Sequence, residues 1–207
     1  MSVTVPLKSL ELPPGNSVAI RNATWQQYLD ITNDLDQESI NYRISYFNHT
    51  IELMSPDRKH ENPKARLYGF IRDYCLEKGI RYYSCGSADI KKPQVAGKQP
   101  DTSFCFGVEK EISDLAVEVI YTSGTVKNLH QIYLEFGIQE LWIWQKQEVS
   151  FYELKSETYQ LIEESLFLPG LTLDLINKCL SIADEWDASQ EFRRQIKQKL
   201  TANSYEP

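Results

Sequence analysis

The chain has 207 residues, 42% of them hydrophobic and 25% charged, the composition of a single globular domain large enough to bury a substantial core. Its 22 basic and 29 acidic residues give a net charge of −7, which argues against a protein that coats nucleic acid regardless of sequence but not against an enzyme with a local basic groove and a bound cation. No apolar run is long enough to span a bilayer and the N-terminus has no signal-like apolar core, so the expected location is cytoplasmic, with no membrane partner.

Residues 1–20, with Pro6, Pro13, Pro14 and Gly15, are expected to form an irregular arm. Asn22-Ala-Thr24 offers a cap for a helix running to about Thr32, with Trp25, Tyr28, Leu29 and Ile31 turned inward and Asn33-Asp34-Leu35-Asp36 as its breaker. Tyr42–Tyr46 and Thr50–Met54 alternate around Phe47-Asn48-His49, a hairpin pattern in which His49 is most simply a turn residue. A long helix is predicted from near Asn62-Pro63 to Gly79, buried along Leu67, Phe70, Ile71 and Tyr74.

A strand around Arg81–Cys85 and a basic linker lead to two short apolar strands. Asp101 sits in Gln99-Pro100-Asp101-Thr102-Ser103-Phe104, and Glu118 in Asp114-Leu-Ala-Val-Glu118-Val-Ile120. A carboxylate inside an apolar strand is costly unless it is paired or holds a metal. One acid per neighbouring strand suits a shared divalent cation that activates water against a phosphodiester; the alternative is that each ends its strand in solvent or pairs with a lysine. Lys91, Lys92 and Lys98 form the basic cluster near this pair, either a nucleic-acid contact or a solvated loop.

Beyond Ser123-Gly124 a second helix is expected, with Val126, Leu129, Ile132, Tyr133 and Phe136 inward and Gly137 at its end. Two strands follow at Glu140–Gln145 and Val149–Leu154, then an edge strand near Tyr159, an ambiguous stretch over Leu171–Leu180 and an amphipathic helix over Glu185–Leu200. Cys75, Cys85, Cys105 and Cys179 have no paired spacing and read as packed thiols, and Lys64 breaks the H-E-x-x-H pattern begun by His60-Glu61.

An ordered set of segments resembles the Uma2 family, also called DUF820. The segments are Tyr46–Pro56 followed by His60-Glu61, then Pro100-Asp101, Asp114–Ile120, Tyr133–Trp142 and Leu168-Pro-Gly-Leu171, together spanning roughly residues 24 to 175. The resemblance implies a restriction-endonuclease-like α/β (α+β) core: a mixed central sheet flanked by helices, with an N-terminal helix and hairpin. This core would occupy residues 21–184, between the arm at 1–20 and a C-terminal helix and tail at 185–207.

The resemblance further implies a PD-(D/E)xK type site in which Asp101 and Glu118 bind Mg2+ or Mn2+ for DNA hydrolysis. The lysine such sites carry two residues after the second acid is replaced by Ile120, and a helix lysine found in many relatives corresponds to Leu129. Lys127 is then the candidate stand-in, with Glu61 and His60 as further site residues and Lys91, Lys92 and Lys98 as the nucleic-acid contact. The alternative reading is a catalytically impaired nuclease-fold domain that binds DNA or a protein partner. The resemblance and the Trp142/Trp144 hairpin suggest a homodimer.

Overall fold

The computed structural model describes the backbone of residues 10–120 and 126–203, with side chains described over 10–120 and 128–198. The fold is mixed α+β, and among the described residues the strands form two sheets. The first sheet contains β1 (Ser17–Arg21), β2 (Arg43–Phe47), β3 (Thr50–Met54), β5 (Ile90–Lys92) and β6 (Ala96–Lys98), in the antiparallel order β1-β3-β2-β6-β5. The second contains β4 (Tyr82–Ser84), β7 (Thr102–Phe106), β8 (Leu115–Ile120), β9 (Glu140–Gln145), β10 (Glu148–Lys155) and β11 (Thr158–Ile162), in the order β11-β10-β9-β8-β7-β4. Only the β8/β9 pair is parallel among these, and α3 (Val126–Phe136) lies in its crossover.

Every residue of β8 is buried, which is why the strand reads as a continuous apolar run. Alternation along the strand divides the core in two. Leu115, Val117 and Val119 face α2 (Arg58–Lys78), α4 (Leu173–Leu180) and α5 (Glu185–Asn203), where Phe70, Tyr74 and Phe192 are packed. Ala116 and Ile120 face the other way, against Ile132, Tyr133 and Phe136 of α3 and Ile90 and Ala96 of the β5–β6 hairpin. Glu118 shares this second face.

A third cluster sits under α1 (Trp25–Glu38), where Tyr28 and Leu35 cover Ile44, Tyr46, Ile51 and Leu53 of β2 and β3. Thr24 caps α1 reciprocally with Gln27, as the sequence suggests. The helix does not break at Asn33–Asp36, however. Leu35 is buried against the first sheet, and that packing carries the chain through weak helix formers to a left-handed Ser39. The β2–β3 turn has positive φ at Asn48 (46°) and His49 (56°), the two-residue turn the sequence implies.

Three further expectations are corrected. Ser17–Arg21 forms β1 on the edge of the first sheet, and the preceding segment is pinned by Gly15 N–H donating to Ser55 O at 2.8 Å. Helix α2 begins one turn before Asn62-Pro63, because Asp57 accepts from His60 N–H at 2.8 Å and caps it there. The basic linker contains the β5–β6 hairpin. Trp142 and Trp144 are buried in the chain's own core.

One contact fixes β6 against the N-terminal layer. A Cβ built on Gly97 would lie 2.5 Å from the ring carbon and hydroxyl of Tyr28, a side chain with no exposed surface. Gly97→Ala is therefore expected to destabilise the protein by about 1–3 kcal/mol through overpacking, measurable by urea unfolding. A melt indistinguishable from wild type would mean Tyr28 has room to retreat.

Candidate active site

Strands β7 and β8 are antiparallel with Thr102 opposite Val117. One more step of that register sets Asp101 against Glu118, and opposed residues of an antiparallel pair point to the same face. Both carboxylates are buried, and both line a cleft of about 370 Å3 between the two sheets. His60, from the first turn of α2, and Lys98, from the end of β6, line it with them.

Each acid has a basic partner. Lys98 Nζ lies 3.2 Å from Glu118 Oε1, and His60 Nε2 lies 3.3 Å from Asp101 Oδ2. Val119 N–H donates to the same Asp101 oxygen at 2.7 Å, and the Tyr133 hydroxyl donates to Glu118 Oε1. Among the described residues these partners fall on one oxygen of each acid, leaving Asp101 Oδ1 and Glu118 Oε2 unengaged.

The polar face of the first sheet completes the site. Ser45 is paired with Glu52 on one side and Lys98 on the other, so the three form one row across β3, β2 and β6, and all three line the cleft. Apart from Lys98, the sequence does not single out this row, of which Glu52 is the exposed member. The available signal was the strict alternation of Arg43, Ser45 and Glu52 with the apolar Ile44, Tyr46, Ile51 and Leu53. Tyr133 was placed only on the helix's apolar stripe, although a buried tyrosine hydroxyl needs a partner.

The electrostatics follow from burial set against these neighbours. Burial works against the Lys98 charge, but Glu118 and Asp101 outweigh it and raise the ammonium pKa. Burial likewise opposes a charged His60, yet the Asp101 bond and the nearby acids raise the imidazole above its usual value. Asp101 is held below the usual carboxylate range, because His60, Lys98 and the Val119 N–H together overcome its burial. Glu118 goes the other way. Burial, reinforced by Asp101, pushes it up to about 7 despite Lys98 and Tyr133. Both partners of the Lys98–Glu118 contact are thus raised, for different reasons: at the lysine three acids outweigh burial, whereas at the glutamate burial and Asp101 outweigh the lowering by Lys98 and Tyr133.

The other sequence-derived candidates fall elsewhere. Glu61 is 45% exposed, pairs with Lys64 at 3.0 Å and stands 3.7 Å from His60 Nδ1, beside the cleft lining rather than in it. Lys91 pairs with Asp89 and Lys92 with Glu135, so the basic cluster is divided, Lys98 alone reaching the acids. Ile120 and Leu129 form an apolar wall of the cleft. The side chain of Lys127 lies outside the described residues.

A family model described as "Uma2: Putative restriction endonuclease" matches residues 25–183. The chain belongs to the Uma2 family. Every residue of the cleft named above lies inside that match. Among solved structures, the chain is similar to one described as "a putative nuclease belonging to DUF820 from Anabaena variabilis ATCC 29413", with 14% identity and a TM-score of 0.48, over 72% of this chain and 90% of that one. No curated protein matches the sequence. No helix among the described residues is long and apolar enough to cross a membrane.

The Glu118 environment has a measurable consequence. Between about pH 4.5 and pH 7 the unfolded chain has released this proton while the folded chain retains it, so stability falls as pH rises through the window. Each unit of separation corresponds to about 1.4 kcal/mol. The Lys98→Met/Glu118→Gln double variant removes this contribution without leaving a lysine buried and unpaired. Its stability relative to wild type, from urea unfolding at several pH values across that window, is expected to rise with pH. A difference independent of pH would show that Glu118 ionises normally in the fold.

Proposed function

We propose that this Uma2 member is a divalent-metal-dependent DNA endonuclease in which Lys98 fills the role of the missing strand lysine. The observation that carries the reading is the half-buried ammonium of Lys98, 3.2 Å from Glu118 in the cleft that His60 and Asp101 also line. A positive group beside a two-acid cleft is what phosphodiester hydrolysis requires, because charge accumulates on the phosphoryl oxygens in the transition state.

The donor set suits Mg2+ or Mn2+ rather than zinc. Among the described residues no group of three or more His, Cys, Asp and Glu side chains is arranged to hold a metal. Mg2+ is characteristically held by one or two carboxylates, with water and substrate phosphate completing the shell, and Asp101 Oδ1 and Glu118 Oε2 are the two oxygens on offer. When bound, such an ion lowers the pKa of a coordinated water and offsets negative charge on the scissile phosphate.

The chain's own groups do the rest. Lys98 donates toward the phosphate or the attacking water, its charge sustained by Glu118, Asp101 and Glu52. His60 and Val119 N–H fix the Asp101 carboxylate in orientation, and Tyr133 does the same for Glu118. The wall of Ile120, Leu129 and Ile132 lowers the local dielectric and strengthens each of these interactions.

One observation favours a second reading. Lys98 already pairs with Glu118 without a metal, so a domain that has lost catalysis would be stabilised by the lysine alone, and would bind DNA or a protein without cutting. Plasmid nicking with Mg2+ and Mn2+ separates the two. Asp101→Ala is expected to abolish cleavage, and Lys98→Met to lower it about a hundred- to a thousandfold, the usual loss on removing one transition-state stabiliser. A comparable loss with Lys127→Ala and none with Lys98→Met would return the role to Lys127. Absence of metal-dependent cleavage in wild type, with Mn2+ binding gained only in Lys98→Met by calorimetry, would establish the resident-cation reading.

A further inference from the structure

Most described lysines and arginines are held in ion pairs, among them Lys64 with Glu61, Lys110 with Asp114, and Arg193 with Asp73. Eight have no ion-pair partner among the described residues, and of these Arg43, Arg58, Lys59 and Lys146 line two adjoining cavities while Arg21, Lys78 and Arg81 line neither. These four are also contiguous. Arg43 and Lys59 line the acid cleft, and Lys59, Arg58 and Lys146 line a second groove of about 970 Å3 between the start of α2, the β9–β10 turn and α4. Lys59 belongs to both cavities and joins them.

Two features argue that three of these cations, Arg58, Lys59 and Arg43, are not placed for stability. Arg58 and Lys59 are the first two residues of a 21-residue helix. A helix N-terminus carries about half a positive charge, so cations there oppose the macrodipole, where acids would be favourable. Arg43 is half-buried, and its Nε is buried with no hydrogen-bond partner. A buried guanidinium N–H without an acceptor costs free energy unless a ligand supplies one.

We propose that Arg43, Lys59, Arg58 and Lys146 form a phosphate track that carries a DNA backbone through the acid cleft and out along the neighbouring groove. The identity of the polyanion rests on the nuclease reading above; the track itself rests on the placement of the four cations. It also answers the charge problem, since a chain of net charge −7 holds DNA only where uncompensated cations are gathered. The remaining charged groups of the second groove do not change this. Arg66 is committed to the carbonyls of Cys179 and Ile182, and Glu148 is the one acid in the lining. In the acid cleft, Glu52 and Asp57 are the further acids, the first in the row with Lys98 and the second capping α2.

The test is the salt dependence of binding to a short fluorescein-labelled DNA duplex, read by fluorescence anisotropy with Ca2+ in place of Mg2+. Each phosphate contact contributes about 0.9 to the slope of log K against log salt concentration. Arg58→Gln/Lys59→Gln/Lys146→Gln, three exposed positions, is expected to reduce the slope by about 2–3, and adding Arg43→Gln by about one more. Thermal melts should show no loss of stability in the triple variant. Lys91→Gln/Lys92→Gln, which touches only the ion-paired surface lysines, is expected to leave the slope at its wild-type value. An unchanged slope in the triple variant, an equal fall in the Lys91/Lys92 variant, or no DNA binding by wild type at low salt would overturn the track. DNA binding with the expected slopes but no cleavage in Mg2+ or Mn2+ would uphold the track and remove the nuclease reading.

Discussion

Two buried carboxylates facing two basic side chains, a buried histidine and a half-buried lysine, are the constraint around which this protein is built. Removing one ion from water costs several kcal/mol even after relaxation, and a lone charge on a strand as enclosed as β8 would not persist in the folded state. Asp101 and Glu118 are tolerated because His60 and Lys98 meet them, and these partners come from different parts of the chain: one from the first turn of α2, the other from the last residue of β6. The cleft therefore exists only when the N-terminal sheet docks onto the second sheet. The close approach of Gly97 to Tyr28 sets the height of β6 and so the position of the neighbouring lysine. Gly15 stands where a side chain would press on Asp57, the residue that caps α2 and sets His60 in place.

The absence of a lysine at position 120 becomes intelligible in the same terms. Ile120 lies on the face of Glu118 and packs with Ile132, Tyr133 and Leu129. A second ammonium there would face Lys98 within one buried cleft, and two like charges in low dielectric repel strongly. The positive group beside Glu118 comes from the opposite sheet, while positions 120 and 129 give the cleft its apolar wall.

What the sequence disclosed followed the range of the interactions involved. The β2–β3 hairpin, the Thr24 cap and the Gly79 stop are legible because their causes lie within a few residues. The acid pair is legible because a charge in an apolar strand is conspicuous. Helix α1 outruns its breaker residues because Leu35 is buried by a sheet whose strands had not yet been paired, and tertiary packing overrides propensity. Asn62-Pro63 looked like a helix start, yet the earlier Asp57 cap prevails and leaves Pro63 inside the helix. The role of Lys98 was least legible of all: twenty residues separate it from Glu118, the two lie on different sheets, and nothing local marks which of three nearby lysines reaches inward.

Helix α2 links the site to the C-terminal region beyond the family match. Its far end is clamped by α5, through a Phe70–Phe192 stack with centroids 4.6 Å apart and through Arg193 on Asp73 at 2.7 Å. Its near end is held more weakly. Pro63 has no N–H to give the Lys59 carbonyl, so the first turn lacks one of its helical hydrogen bonds. That turn carries Arg58, Lys59 and His60, and its local anchors are the Asp57 cap and the His60–Asp101 contact. The missing hydrogen bond puts the weight of holding this turn on those two anchors, while the clamp at α5 and the packing of Leu67, Phe70 and Ile71 against the second sheet fix the rest of the helix.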